Sequence, residues 1–191
     1  MRIFVAGASG VIGSRIVPLL VARGHTVAGM TRSSAKVDVL RTLGAEPVLC
    51  DVYDATALVG AVVAFAPELV MHQLTDLPDE LTAEGSGANA RMRREGTRNL
   101  VAAARAAGAA KIMAQSVAWE LPGDGAAAVR DLERAVLDAG GVVLRYGRFY
   151  GSGTYYEAEL PPPPRIDVDS AAQRTVGALD ADPGILTFVD E

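Results

Sequence analysis

Seven residues, Gly7-Ala8-Ser9-Gly10-Val11-Ile12-Gly13, constrain the fold of this chain more tightly than any other stretch. They follow a short apolar run, Ile3-Phe4-Val5-Ala6, and open a segment in which Val11, Ile12, Ile16, Val17, Leu19 and Leu20 recur at helical spacing. Strand, glycine turn and helix, in that order, are the context in which a glycine pattern predicts a dinucleotide-binding βα unit. In such a unit Gly7 allows the tight turn, Gly10 lets the backbone approach a pyrophosphate, and Gly13 lets the helix pack closely on the sheet. Ser9, Val11 and Ile12 belong to the same expected phosphate contact. The first turn of a helix offers free N–H groups and the positive end of a dipole.

The rest of the chain alternates between the two periods. Strands are predicted at Arg2–Ala6, Thr26–Met30, Glu46–Cys50, Leu69–His72, Lys111–Gln115, Val142–Arg145 and Ile185–Val189. Helices are predicted at Val11–Arg23, Ala35–Leu43, Ala55–Phe65, Asn89–Ala107, Ala126–Ala139 and Asp169–Leu179, with Pro18 expected to bend or weaken the first. Short apolar strands alternating with helices predict an α/β fold: a doubly wound parallel sheet covered on both faces, of the Rossmann kind. A dinucleotide-binding domain is expected over residues 1–150. Residues 151–191, with the proline run Pro161 to Pro164, are expected to be a remnant of a substrate-binding lobe and not an independent domain.

Composition removes several classes of function. A chain of 191 residues buries roughly 70% of its unfolded surface, so no disulfide or metal staple is required. No apolar run approaches the ~20 residues of a membrane span, and the strand-like start leaves no room for a signal peptide. A cytoplasmic setting is expected. Net charge is −5, with no basic block beyond Arg91, Arg93 and Arg94, which argues against nucleic acid as a partner. Two histidines far apart, His25 and His72, argue against a metal site, and the single cysteine, Cys50, reads as a small core residue. Arginine outnumbers lysine sixteen to two, which reads as coding bias of a GC-rich genome.

The glycines fall as G-x-x-G-x-x-G from residue 7. This variant resembles the extended and atypical branches of the short-chain dehydrogenase/reductase superfamily, including its epimerase/dehydratase-like members. Further stretches are similar: Arg94–Ala104 to the family's long fourth helix, Lys111–Trp119 to its fifth strand, Val143–Gly151 to its sixth strand and the turn beyond, and Arg165–Ala172 to a short motif of the substrate lobe. The resemblance implies a nicotinamide cofactor. It also implies contacts from Asp51 and Val52 near the adenine and from His72 and Gln73 beneath the nicotinamide ribose. Taken alone, Asp51 reads equally as a turn or capping aspartate, and a buried histidine bonded to backbone is commoner than a catalytic one. The Ala-rich helices at Asn89–Ala107 and Ala126–Ala139 resemble those that form dimer interfaces, which implies a homodimer. The alternative is burial of one face of each within the monomer.

The turn after the second strand selects the cofactor. An acid there binds a ribose 2′-hydroxyl and repels a 2′-phosphate. Here Thr31-Arg32-Ser33-Ser34-Ala35-Lys36 follows, without a carboxylate. Arg32 offers a charge-assisted fork, Ser33 or Ser34 neutral donors and Lys36 a further charge, so NADP(H) is favoured over NAD(H). The opposing view is a solvated arginine on a loop that caps the next helix through Ser34.

Chemistry in the superfamily depends on a Ser, Tyr and Lys acting together, because a tyrosine near pKa 10 is a poor base without a cation beside it. Ser116 matches the serine. No Tyr-x-x-x-Lys occurs; Gly125 stands where the tyrosine belongs and Val129 where the lysine belongs. Substitute acids are sought among Tyr146, Tyr150, Tyr155 and Tyr156, each of which also reads as ordinary packing. Arg145 and Arg148 suit either an anionic substrate or surface carboxylates. The leading expectation is an NADP(H)-dependent oxidoreductase acting on a small carbonyl, alcohol or enone. Hydride transfer to an enone or other activated acceptor needs no protein acid. A non-catalytic nucleotide-binding regulator, or a non-redox isomerase, dehydratase or cyclase, are the alternatives.

Overall fold

The structure is a computed structural model that describes residues 1–76 and 83–190, with side chains from residue 87 onward in the helix that begins at Ala83. Seven parallel strands form one sheet in the order β3-β2-β1-β4-β5-β6-β9. They are β1 (Arg2–Ala6), β2 (Thr26–Thr31), β3 (Glu46–Leu49), β4 (Leu69–His72), β5 (Lys111–Val117), β6 (Val142–Tyr146) and, closing the far edge, β9 (Gly184–Phe188). The helices are α1 (Gly13–Ala22), α2 (Val37–Thr42), α3 (Ala55–Phe65), α4 (Ala83–Arg91), α5 (Thr97–Ala106), α6 (Gly123–Asp138) and α7 (Val168–Gly177). A short parallel pair, β7 (Arg148–Tyr150) with β8 (Arg165–Asp167), stands apart from the main sheet.

Side-chain alternation along the strands sorts the core into two layers. Ile3, Val5, Leu69, Met71 and Leu144 pack with α1 and α7; Phe4, Ala6, Val70, Ile112 and Val143 pack with α3, α5 and α6. A strand buried on both faces must be apolar at every position, which is why these runs show no polar alternation. Pro18 leaves α1 unbroken because it lies on the exposed side, where water replaces the lost hydrogen bond. The apolar faces of α5 and α6 are buried inside the protomer through Leu100, Ala103, Ala104, Leu132 and Val136.

The boundary expected at residue 150 cuts across a continuous layer. β9 pairs with β6 in parallel register from Val142↔Gly184 to Tyr146↔Phe188, and α7 packs on α1. Arg15 ties the two helices further, with its Nε donating to Asp169 at 2.7 Å and its Nη2 to the Ser152 carbonyl. Residues beyond 165 therefore complete the sheet.

Strand order reverses between β1 and β4, so a crevice opens at their carboxyl ends. The glycine turn fills its lip. Gly7 adopts φ +87°, and a Cβ there would lie 2.6 Å from the Gln73 carbonyl oxygen. Gly13 is tighter still, since its Cβ would lie 2.1 Å from the Gly7 oxygen; this glycine brings the helix onto the turn rather than onto the sheet. Gly13→Ala is expected to lower stability by about 2–3 kcal/mol, as an added methyl in a filled site does. Gly60→Ala in α3, where a Cβ meets nothing, is expected to raise it by about 1 kcal/mol. Denaturant midpoints at unchanged slope measure both.

Candidate functional site

A cleft of about 210 Å³ lies over the crevice. The glycine turn contributes Gly7, Ser9 and Gly10, the end of β2 contributes Arg32 and Ser33, and the loops after β3 and β4 contribute Asp51, Val52 and Gln73. Val11 is exposed outside the cleft, while Ile12, Gly13 and His72 are buried and do not reach it. Thr31 links two of these walls, because its Oγ1 accepts from Ser9 Oγ at 3.3 Å and from the Ser33 amide at 3.2 Å.

His72 is fully buried, and its bonds fix its tautomer. The Leu74 amide donates to Nδ1 at 3.2 Å, so Nδ1 is unprotonated and Nε2 donates to Thr97 Oγ1 at 3.0 Å. Burial lowers its pKa to about 4. The ring therefore holds the loop after β4 in place. Asp51 makes a turn, with Oδ1 accepting from the Tyr53 amide at 2.9 Å, and Asp54 caps α3. Asn99 Nδ2 donates to the Val52 carbonyl at 2.9 Å and so fixes that side of the cleft. Ser34 caps nothing: neither the 3-10 turn at Ser34–Lys36 nor α2 has a side-chain cap.

Between α4 and α5 the helix widens into a π turn over Met92–Gly96. Met92 lines the cleft from this turn, and its sulfur covers Gly96, where a Cβ would lie 2.8 Å from Sδ. Nothing in the residue pattern signals this insertion, although π turns gather at functional sites. The arginines of this stretch disperse: Arg91 pairs with Glu95 and stacks on Tyr53, while Arg94 pairs with Asp124 and Asp131. Arg93 is half-buried, and desolvation holds its pKa below the ordinary guanidinium value.

A second cleft, of about 400 Å³, opens beside β5 and α6. Ala126 and Val129 line it with short or apolar side chains, and Trp119, Arg130, Glu133 and Arg145 give it polarity. Ser116 is not on its wall. Its hydroxyl donates to Glu133 Oε1 at 2.7 Å, and Arg145 grips the same carboxylate with Nε at 2.8 Å and Nη2 at 2.6 Å. Burial pushes the Glu133 pKa up, but the Arg145 and Ser116 donors outweigh it and hold the carboxyl below its usual range.

Two of the tyrosines expected as acids, Tyr146 and Tyr150, serve the scaffold, while Tyr155 is exposed and packs edge-on against Tyr156. Tyr146 is buried in the layer under α7, its hydroxyl 2.6 Å from Thr175 Oγ1. Thr175 donates onward to the Ala171 carbonyl, so Tyr146 is the donor to Thr175. Burial pushes its pKa above the ordinary phenol value. Tyr150 donates to Asp190 at 2.9 Å, and that bond raises its pKa too. Neither tyrosine lines either cleft.

Two features of the first cleft fit a nicotinamide dinucleotide. Gly7 and Gly10 present bare backbone to the cleft, and the buried Gln73 amide has no hydrogen-bond partner among the described residues. Comparison with known sequences decides the family. Residues 3–134 match the NAD dependent epimerase/dehydratase family. The chain belongs to that family. This epimerase/dehydratase-family chain is 41% identical over 186 residues to the 3-diazoavenalumate denitrifying reductase of a Streptomyces species, covering 82% of this chain. It spans 59% of that reductase's length. A UDP-glucose 4-epimerase of Mycolicibacterium smegmatis is 34% identical over 118 residues, 59% of this chain and 37% of the epimerase. Among solved structures, the UDP-glucose 4-epimerase of Thermus thermophilus in complex with NAD superposes with a TM-score of 0.82 at 22% identity, over 99% of this chain and 78% of that one. That likeness establishes the fold. Among the described residues no helix is long and apolar enough to cross a membrane, and no cluster of potential ligands is fit for a metal.

The buried neutral His72 has a measurable consequence. Its folded-state pKa of about 4 lies below the ordinary 6.5, so the unfolded chain binds the extra proton first. Stability from this site is present above about pH 6.5 and falls as pH drops toward 4, by about 3 kcal/mol in all. His72→Gln is expected to lose that slope, read as the difference in unfolding free energy between the two proteins at each pH.

Proposed function

We propose that this chain is an NADP(H)-dependent reductase whose acceptor completes the reaction without a proton from a protein acid. One observation carries this reading: Ser116 is closed into a bond with Glu133, which Arg145 also holds, while Tyr146 and Tyr150 are turned into the scaffold. Gly7, Ser9, Gly10 and Gln73 would hold the pyrophosphate and ribose, and Asp51 and Val52 the adenine side. A bound nicotinamide cofactor supplies a hydride.

We take the second cleft as the acceptor site because it opens at Val117, the carboxyl end of β5, the strand next to β4 and its cofactor crevice. The acceptor class follows from what that cleft lacks. A simple ketone becomes an alkoxide on reduction and needs an acid nearby, which contributes typically 10²–10⁴-fold. An enone leaves a stabilised enolate that water protonates. An arenediazonium carbon gains the hydride as its C–N bond breaks and dinitrogen leaves with the bonding pair, with no proton required. The relative named as a denitrifying reductase of a diazo compound supports the last class. Epimerisation of a sugar fits less well, because it removes a hydroxyl proton and so requires a base.

Cofactor choice rests on Arg32, whose side chain is 61% exposed and, among the described residues, is paired with Asp76 alone, at 3.1 Å. An exposed pair of this kind is worth little, so the guanidinium is available to a 2′-phosphate, with Ser33 and Lys36 beside it. Arg32→Glu is expected to weaken NADPH binding by about 10- to 100-fold and to leave NADH nearly unchanged, by calorimetric titration. Equal loss for both cofactors contradicts the preference. For the reaction, cofactor consumption is followed across ketones, enones and arenediazonium salts. Turnover of the latter two is expected, with kcat flat over roughly pH 6–9 and less than about a tenfold loss in Ser116→Ala. Reduction confined to ketones, or a loss of about 10²-fold or more in that variant, overturns the reading.

A further inference from the structure

The second cleft carries information about its occupant that the reaction class does not. Its charges are two guanidiniums, Arg130 and Arg145, and two carboxylates, Glu120 and Glu133. Arg145 and Glu133 neutralise each other through a two-pronged bond, which leaves only Nη1 of Arg145 uncommitted. Arg130 and Glu120 form no ion pair among the described residues. The apolar wall is Val117, Leu121 and Val129, and the flat surface is Trp119. That indole is pinned from one side. The Arg148 guanidinium lies 4.7 Å from its ring centroid, and the same guanidinium donates to the Pro162 and Pro163 carbonyls at 3.2 Å each. An aromatic ring held this way offers a preorganised stacking face.

We infer that the second cleft seats an aromatic monocarboxylate, its ring against Trp119 and its carboxylate on Arg130 and the free Nη1 of Arg145. Glu120, on the exposed rim, suits a hydrogen-bond donor or positive charge at the other end of the same molecule. With Arg145 committed to Glu133, Arg130 is the one cation of the cleft without an ion pair among the described residues. That disfavours a pyrophosphate, which brings two charges and would leave one unpaired. A cleft of about 400 Å³ matches a single ring with a short acidic arm. This inference rests on the proposed reading of that cleft as the acceptor site, and it names the acceptor's recognition chemistry.

Trp119 is the only tryptophan of the chain, so its fluorescence reports the cleft directly. The full chain is titrated with 3-(4-aminophenyl)propanoate, with its methyl ester and with UDP, by fluorescence and by calorimetry. Saturable quenching by the acid is expected, with the ester weaker by about tenfold or more. Arg130→Ala is expected to lose about tenfold or more of the affinity for the acid, and Arg130→Lys to retain part of it, while affinity for the ester and for NADPH stays unchanged. Equal binding of acid and ester, full affinity in Arg130→Ala, tighter binding of UDP, or loss of NADPH affinity in that variant each overturns the inference. Failure of the reductase reading is seen separately, as absent hydride transfer in a protein that still binds the acid.

Discussion

The contact between the glycine turn and the end of β4 governs the rest of the molecule. Gly7 presses against the Gln73 carbonyl at a distance no side chain permits, and Gly13 presses against Gly7 in turn. These two approaches set the first turn of α1 over the crevice where strand order reverses. The cleft is assembled around that point. Ser9 reaches Thr31, Thr31 receives the Ser33 amide, and Arg32 projects next to it. On the far side His72 and Asn99 hold the loops after β4 and β3 from beneath. The walls are thus held in place by hydrogen bonds among their own residues, as preorganised binding requires.

The second cleft is organised differently. Where a proton relay would stand, Gly125 and Val129 occupy the helix, and the strand-end serine turns toward Glu133. A buried carboxylate gripped by arginine on two atoms is costly to break, so Glu133 and Arg145 form a fixed wall. On the proposed reading, such a cleft orients an acceptor that reacts without help from an acid.

Much of the architecture was legible because burial on both faces of a parallel sheet forces apolar strands, and the glycine spacing allows one local geometry. Leu69–His72 and Ala55–Phe65 fall where the pattern places them. The π turn escaped, since an inserted helical residue changes no periodicity that a short window detects. The direction of Tyr146 and of Ser116 also escaped. Each lies at a strand end, and the face a side chain takes there depends on register with neighbours distant in sequence, Thr175 for one and Glu133 for the other. β9 was read as a strand but not as part of the dinucleotide-binding sheet, because its partner β6 lies beyond the intervening β7–β8 segment. His72 is the instructive middle case, visible as a histidine at the end of a central strand, while its bonds to the Leu74 amide and Thr97 depend on the fold.

The central claim is that the two clefts together perform hydride delivery without proton delivery. Isotope tracing tests it most directly. The protein is incubated with NADPH deuterated at the transferable position and an arenediazonium acid, in ordinary water, and the parallel reaction runs with unlabelled cofactor in heavy water. The account predicts protein-dependent formation of arene carrying one deuterium from the cofactor in the first reaction and none from solvent in the second. Deuterium taken from solvent at that carbon, or product formation no faster than without the protein, would contradict it.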